Sequence, residues 1–123
     1  MIYGLPVWGN TTDNHLQRII TLQKKAIRAI SYSGFNDHTS PIFKKLNILK
    51  LKDQYDYQLA SLLWDLDHET LPMSLSTYFS KVNVTHSHET RQATANLYRV
   101  SRANTHYGRN SFQIQGSTFL NKF

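Results

Sequence analysis

The chain has 123 residues, no cysteine, 40% hydrophobic and 12% aromatic residues, and a formal net charge of +6. Its length is that of one domain, which buries roughly two thirds of its unfolded surface on folding, and its apolar content excludes intrinsic disorder. The missing cysteines exclude a disulfide framework and a thiolate metal site. "MIYGLPVWG" has neither the basic start of a signal peptide nor the apolar length of a membrane span, so a soluble intracellular protein with no membrane partner is expected.

From Leu16 the residues Leu16, Ile19, Ile20, Gln23, Ala26, Ile27 and Ile30 follow the spacing of one helix face, opened by Thr12 or Asp13 and stopped by Gly34. At about 100° per residue, Arg18, Lys24, Lys25 and Arg28 fall in one sector of roughly 120°, nearly opposite that stripe. Such a sector is either a solvated helix face or a surface for a polyanion. Gln23, in the middle of the apolar stripe, needs a partner, and the expected one is a backbone group of "YGLPVWG".

"HTSPIFKKL" predicts a short helix with Ser40 as cap, Pro41 at the first position and Phe43 and Leu46 inward, ending near Asn47. A longer helix runs from Leu51 or Asp53 to His68, with Tyr55, Leu59, Leu62, Leu63 and Leu66 on one face. Leu75, Tyr78 and Phe79 add a further turn before the pattern fails at Ser80.

Beyond Val82 the sequence turns rich in Ser, Thr, Asn and His and loses its period. It also turns basic: Lys81, Arg91, Arg99, Arg102, Arg109 and Lys122 face only Glu89, whereas residues 1–80 are nearly balanced. A basic region of this kind attracts polyanions within a Debye length of about 8 Å. "NLYRV" and "SFQIQ", the latter alternating Phe112 and Ile114 with polar neighbours, predict a β-hairpin around Gly108. The expected architecture is mainly α, a small helical bundle over 1–80 with a basic loop and short C-terminal β-hairpin over 81–123.

"HSHETR" offers His86 and His88 as metal ligands, with Glu89 or His106 as a further donor, but no H-E-x-x-H or four-ligand spacing accompanies them, and they read as surface histidines. Trp8, Trp64, Tyr3, Tyr55, Tyr57 and Phe43 read as core aromatics before base-stacking platforms, because most fall on apolar helical faces.

Taken in order, "YGLPVWG", "LQKKAIR", "PIFKKLNILKLKDQYDYQLASLLW", "HSHETR" and "SFQIQGSTFLN" resemble the C-terminal, thumb-side region of the reverse transcriptase of jockey-like non-LTR (LINE-type) retrotransposons. The matching positions are Tyr3, Gly4, Trp8 and Gly9; Gln23, Lys24 and Arg28; Pro41, Phe43, Leu46, Ile48 and Leu49; and His86 and Arg91, which bracket the fourth motif imperfectly, with His88 three residues before Arg91 and Thr90 at the threonine position. Asn121 matches the closing motif, where Phe119 replaces the family's Trp and Lys122-Phe123 its Leu-Pro.

The resemblance implies a thumb-like helical region of an RNA-directed DNA polymerase, lying beside an RNA/DNA template–primer duplex and partnered by an upstream palm domain. It implies backbone contacts from Arg18, Lys24, Lys25, Arg28 and Arg91, which position a duplex without reading bases. The Y/F-A-D-D element that binds the polymerase's two divalent metals is absent, so no catalytic residue, metal or cofactor is expected in this chain, Mg²⁺ belonging to the parent enzyme. The other reading is a self-standing helical interaction module whose basic face meets an acidic protein.

Overall fold

The computed structural model describes residues 3–122; Met1, Ile2 and Phe123, the last of them at the end of the closing motif, lie outside the described residues. The described residues are mainly helical, and the chain divides into two compact units, Met1–Gln58 and Leu59–Phe123.

In the first unit the turn α1 (Leu5–Trp8) precedes the long helix α2 (Asp13–Ser31), the short α3 (Thr39–Lys45) and the start of α4 (Leu51–Asp67). Gly4 enters α1 at φ 69°, a left-handed conformation that favours glycine, and Trp8 Nε1 donates to the Tyr3 carbonyl at 2.9 Å. This turn delivers Leu5 to the centre of the unit, where Leu5, Leu16 and Leu51 are buried together under Trp8, Ile19, Ile20 and Tyr55. Burying each leucine is worth about 2 kcal/mol. On α2 the expected stripe holds for Leu16, Ile19, Ile20, Gln23 and Ile27, but Ala26 and Ile30 lie exposed.

Helix α2 closes before the predicted Gly34. Tyr32 adopts the left-handed conformation at φ 52°, and the Ser33 amide donates back to the Arg28 carbonyl at 3.0 Å, satisfying an end carbonyl by a local bond instead of a glycine. Helix α3 begins at Thr39 after His38, so Pro41 takes the third helical position; the first-turn amides have no acceptor in any case, and proline costs nothing there.

The second unit holds the remainder of α4 and the short helices α5 (Met73–Ser76), α6 (Val82–Thr85), α7 (Arg91–Thr94) and α8 (His106–Arg109), followed by α9 (Phe112–Leu120). Phe79 meets Phe112 edge to face, with centroids 5.5 Å apart. Gly116 lets α9 approach closely, since a Cβ there would stand 2.7 Å from Phe79 and 3.4 Å from Leu63.

The predicted C-terminal β-hairpin is absent from the described residues. "SFQIQ" opens α9 with Ser111 as N-cap, because Phe112, Gly116 and Phe119 recur at helical spacing and the five-residue alternation was too short to decide the period. Tyr98 stays extended but pairs elsewhere. A single antiparallel bridge joins it to Lys81, with Val82 N donating to Leu97 O at 2.9 Å and Arg99 N to Ser80 O at 2.8 Å. No helix among the described residues is long and apolar enough to cross a membrane.

Gly9 closes α1 where its amide meets the Leu5 carbonyl at 2.7 Å, and an added Cβ would lie 2.6 Å from that oxygen and 2.7 Å from the Tyr55 ring. Gly9→Ala is therefore expected to destabilise the protein by about 1–3 kcal/mol, as overpacking does. Chemical denaturation checks this; an unchanged midpoint would mean that α1 is not docked on Tyr55.

Candidate nucleic-acid interface

Helix α2 turns its apolar stripe inward and sets the four cations of "RIITLQKKAIR" on its remaining surface. They do not form one uniform face. Arg18 and Lys25, seven residues apart, are exposed on the open side of the helix. Lys24 is exposed too but borders a groove of about 420 Å³ in which it meets His38, Thr39, Lys50 and Lys52. Among the described residues the one ion pair is Lys52 with Asp13, at 3.2 Å. Arg18, Lys24 and Lys25 thus form no ion pair among the described residues.

Arg28 does something different. It is half-buried, and its Nε and Nη2 donate to the Asp37 carbonyl at 3.1 and 3.0 Å, while the Asp37 carboxylate accepts from the Gly34 amide at 2.6 Å. The guanidinium fork that suits a phosphate here holds the α2–α3 loop. The resemblance implied a phosphate contact at this position; in the folded chain two of the Arg28 donors are taken by the Asp37 carbonyl.

Gln23 finds partners other than the expected one. Its Nε2 donates to the Leu49 carbonyl at 3.0 Å and its Oε1 accepts from the Leu51 amide at 3.2 Å, so it ties α2 to the first turn of α4 and not to "YGLPVWG". The amide fixes the spacing between Lys24 on α2 and Lys50 beside it.

In the second unit Arg91 is exposed at the first position of α7, beside Thr90, whose hydroxyl caps the helix by accepting from Ala93 N at 3.2 Å. Glu89, Thr90, Arg91 and Thr94 line a shallow depression there. His86 and His88 are exposed, and the described residues contain no group of three His, Asp or Glu side chains that would hold a metal. The aromatics divide. Phe43 is buried and Trp8 and Tyr55 pack on the core, whereas Tyr3, Tyr57 and Trp64 are exposed, Trp64 stacking on His68 at 3.7 Å. Burial, and after it the Asp56 carboxylate, pushes the Tyr55 phenol above its usual range.

Sequence reasoning passed over His38, Lys50 and Lys52. The available signal was "LKLKD", which puts two lysines at a helix start, where the helix dipole disfavours positive charge. No family model, curated protein or solved structure matches the chain.

Replacing Gln23 by Met keeps the volume and removes the amide, leaving Leu49 O and Leu51 N without it. A loss of about 1–3 kcal/mol is expected, with faster hydrogen exchange at the Leu51 amide. Exchange at Leu51 equal to wild type would mean that water replaces the amide without cost.

Proposed function

We propose that this chain is the thumb-side part of a non-LTR retrotransposon reverse transcriptase of the jockey-like kind, and that α2 lies along the backbone of a template–primer duplex. The observation that carries the reading is the exposed, unpaired set Arg18, Lys24 and Lys25 on a helix whose opposite face is anchored in the core. The motif order of the sequence supplies the nucleic acid as the partner. Arg18 supplies a fork for bidentate phosphate contact, and Lys24 and Lys25 act as point charges. Arg28 acts through the loop it holds, and Arg91 offers a further contact from the second unit. None of these groups is arranged to read bases, so binding depends on backbone shape and charge.

Three phosphate contacts give a log–log salt slope near −2.7 for duplex binding, from about −0.9 per phosphate. The double variant Arg18→Gln, Lys25→Gln is expected to flatten that slope by about two units and to weaken all sequences alike, with helix content unchanged because Gln is a comparable helix former. Fluorescence anisotropy over a salt series measures both quantities. An unaltered slope in the double variant would assign this face to solvent; preference for an acidic protein over duplex would favour the interaction-module reading.

The same reading assigns the chemistry of polymerisation to the palm and none to this chain. The purified chain is expected to incorporate no nucleotide on a primed template with Mg²⁺ or Mn²⁺, because its sequence lacks the Y/F-A-D-D element whose carboxylates hold the two metals. Primer extension checks it, and measurable synthesis would overturn the assignment.

A further inference from the structure

The loop that leaves α2 presents two aromatic rings to water. Tyr32 is 97% exposed and Phe35 78%, and neither stacks on another ring among the described residues. Such rings give the fold nothing, since an apolar surface stabilises a protein only by leaving water.

Tyr32 is also costly where it stands. Its backbone is left-handed at φ 52°, a conformation that suits glycine and in which a bulky residue is an outlier. A strained, exposed and unpacked tyrosine does nothing for folding that a glycine would not do better, and strain of this kind collects where a side chain has a partner to meet.

The backbone that carries the two rings is tied on every side. The Ser33 amide donates to the Arg28 carbonyl at 3.0 Å, and the Ser31 and Ser33 hydroxyls are 2.6 Å apart. Gly34 and Asp37 are joined twice, by Asp37 N to Gly34 O at 3.1 Å and by Gly34 N to the Asp37 carboxylate at 2.6 Å, and the Arg28 fork grips the Asp37 carbonyl. These bonds flank Tyr32 and Phe35, so a partner meeting the rings loses little entropy in ordering the loop.

Charge says what that partner is. Residues 14–36 hold Arg18, Lys24, Lys25 and Arg28 and no carboxylate. Arg18, Lys25 and Tyr32 are seven residues apart, a spacing that returns to nearly the same side of a helix and advances along it by about 10.5 Å each time. Two exposed cations therefore lead along α2 to an exposed ring. A nucleic-acid strand matches that order, with phosphates for the cations and flat bases for the rings, and stacking on an aromatic side chain tolerates any base.

We propose that Tyr32 and Phe35 form a stacking platform for unpaired bases of the strand whose phosphates run past Arg18 and Lys25. The inference rests on the duplex reading above and deepens it: α2 holds the paired part of the ligand and the loop its single-stranded continuation, so the preferred ligand is a duplex with an overhang.

The test measures binding of the full-length chain by fluorescence anisotropy to a blunt RNA/DNA duplex, to the same duplex with a short single-stranded extension at its 5′ or 3′ end, to that extension made abasic, and to the extension alone. One extension is expected to tighten binding about tenfold, and its abasic form to return it to the blunt value. Tyr32→Gly is expected to remove most of the gain while blunt-duplex affinity stays within about twofold and the unfolding midpoint holds or rises, because glycine suits the left-handed position. Tyr32→Phe should keep the gain, and Phe35→Ala should reduce it about fivefold. Equal binding of blunt and extended duplex, equal binding of intact and abasic extensions, or a full gain in the Tyr32→Gly, Phe35→Ala double variant overturns the platform and leaves the α2 face to be judged by its own salt slope. A chain that binds the extension alone but no blunt duplex keeps the platform and loses the duplex reading. Binding to none of the four loses both.

Discussion

The first unit depends on the side-chain amide of Gln23 and what it fastens. Leu5, Leu16 and Leu51 supply the energy, since three buried leucines are together worth several kcal/mol and one hydrogen bond nets about 1 kcal/mol. Apolar contact is non-directional, however, and would tolerate Leu51 sliding along α2. The two bonds from Gln23, to Leu49 O and from Leu51 N, remove that freedom and set the start of α4 at one height on α2. Everything on the groove side follows from that height: the facing of Lys24 and Lys50, the reach of Lys50 to Ser40 and the reach of Lys52 to Asp13.

The second unit uses the same chemistry on a different segment. Asn121 accepts from the Tyr98 amide at 2.8 Å and donates to the Tyr98 carbonyl at 2.9 Å, so a primary amide imitates the edge of a neighbouring strand. This accounts for the missing hairpin in physical terms. An extended segment at 97–99 needs partners on both edges, and it takes Ser80 and Val82 on one and Asn121 on the other. "SFQIQ" is then free to follow its helical spacing, and α9 carries Asn121 at its end to where it is needed.

Long periodic segments were legible in the sequence, because α2 and α4 each repeat their apolar spacing over several turns and burial follows most of the repeat, Ala26 and Ile30 of α2 excepted. What was not legible is where polar groups go. Gln23 was correctly marked as an amide in need of a partner, yet its partners lie 26 and 28 residues away, and nothing local in "LQKKA" distinguishes them from the "YGLPVWG" backbone. The stop of α2 was misplaced for a related reason. A local bond from Ser33 to Arg28 closes the helix over a tyrosine, and sequence reasoning expects glycine to do so.

The four cations of α2 show how a charge sector read at 100° per residue becomes several functions once the chain folds. Angular position placed them together correctly, but it carries no information about acceptors. Arg28 is in the last turn, within reach of the Asp37 carbonyl in the loop that follows, and a five-donor guanidinium is well matched to such an oxygen. A lysine in that position would have one compact ammonium and a weaker hold on the loop. Arg18 and Lys25 lie further from that end, where the helix satisfies its own carbonyls and offers the side chains nothing. Distance from the helix terminus, as much as the angle around the axis, therefore decides which cations are left to meet an external anion, and on α2 it favours Arg18 and Lys25 on the open face and Lys24 at the groove.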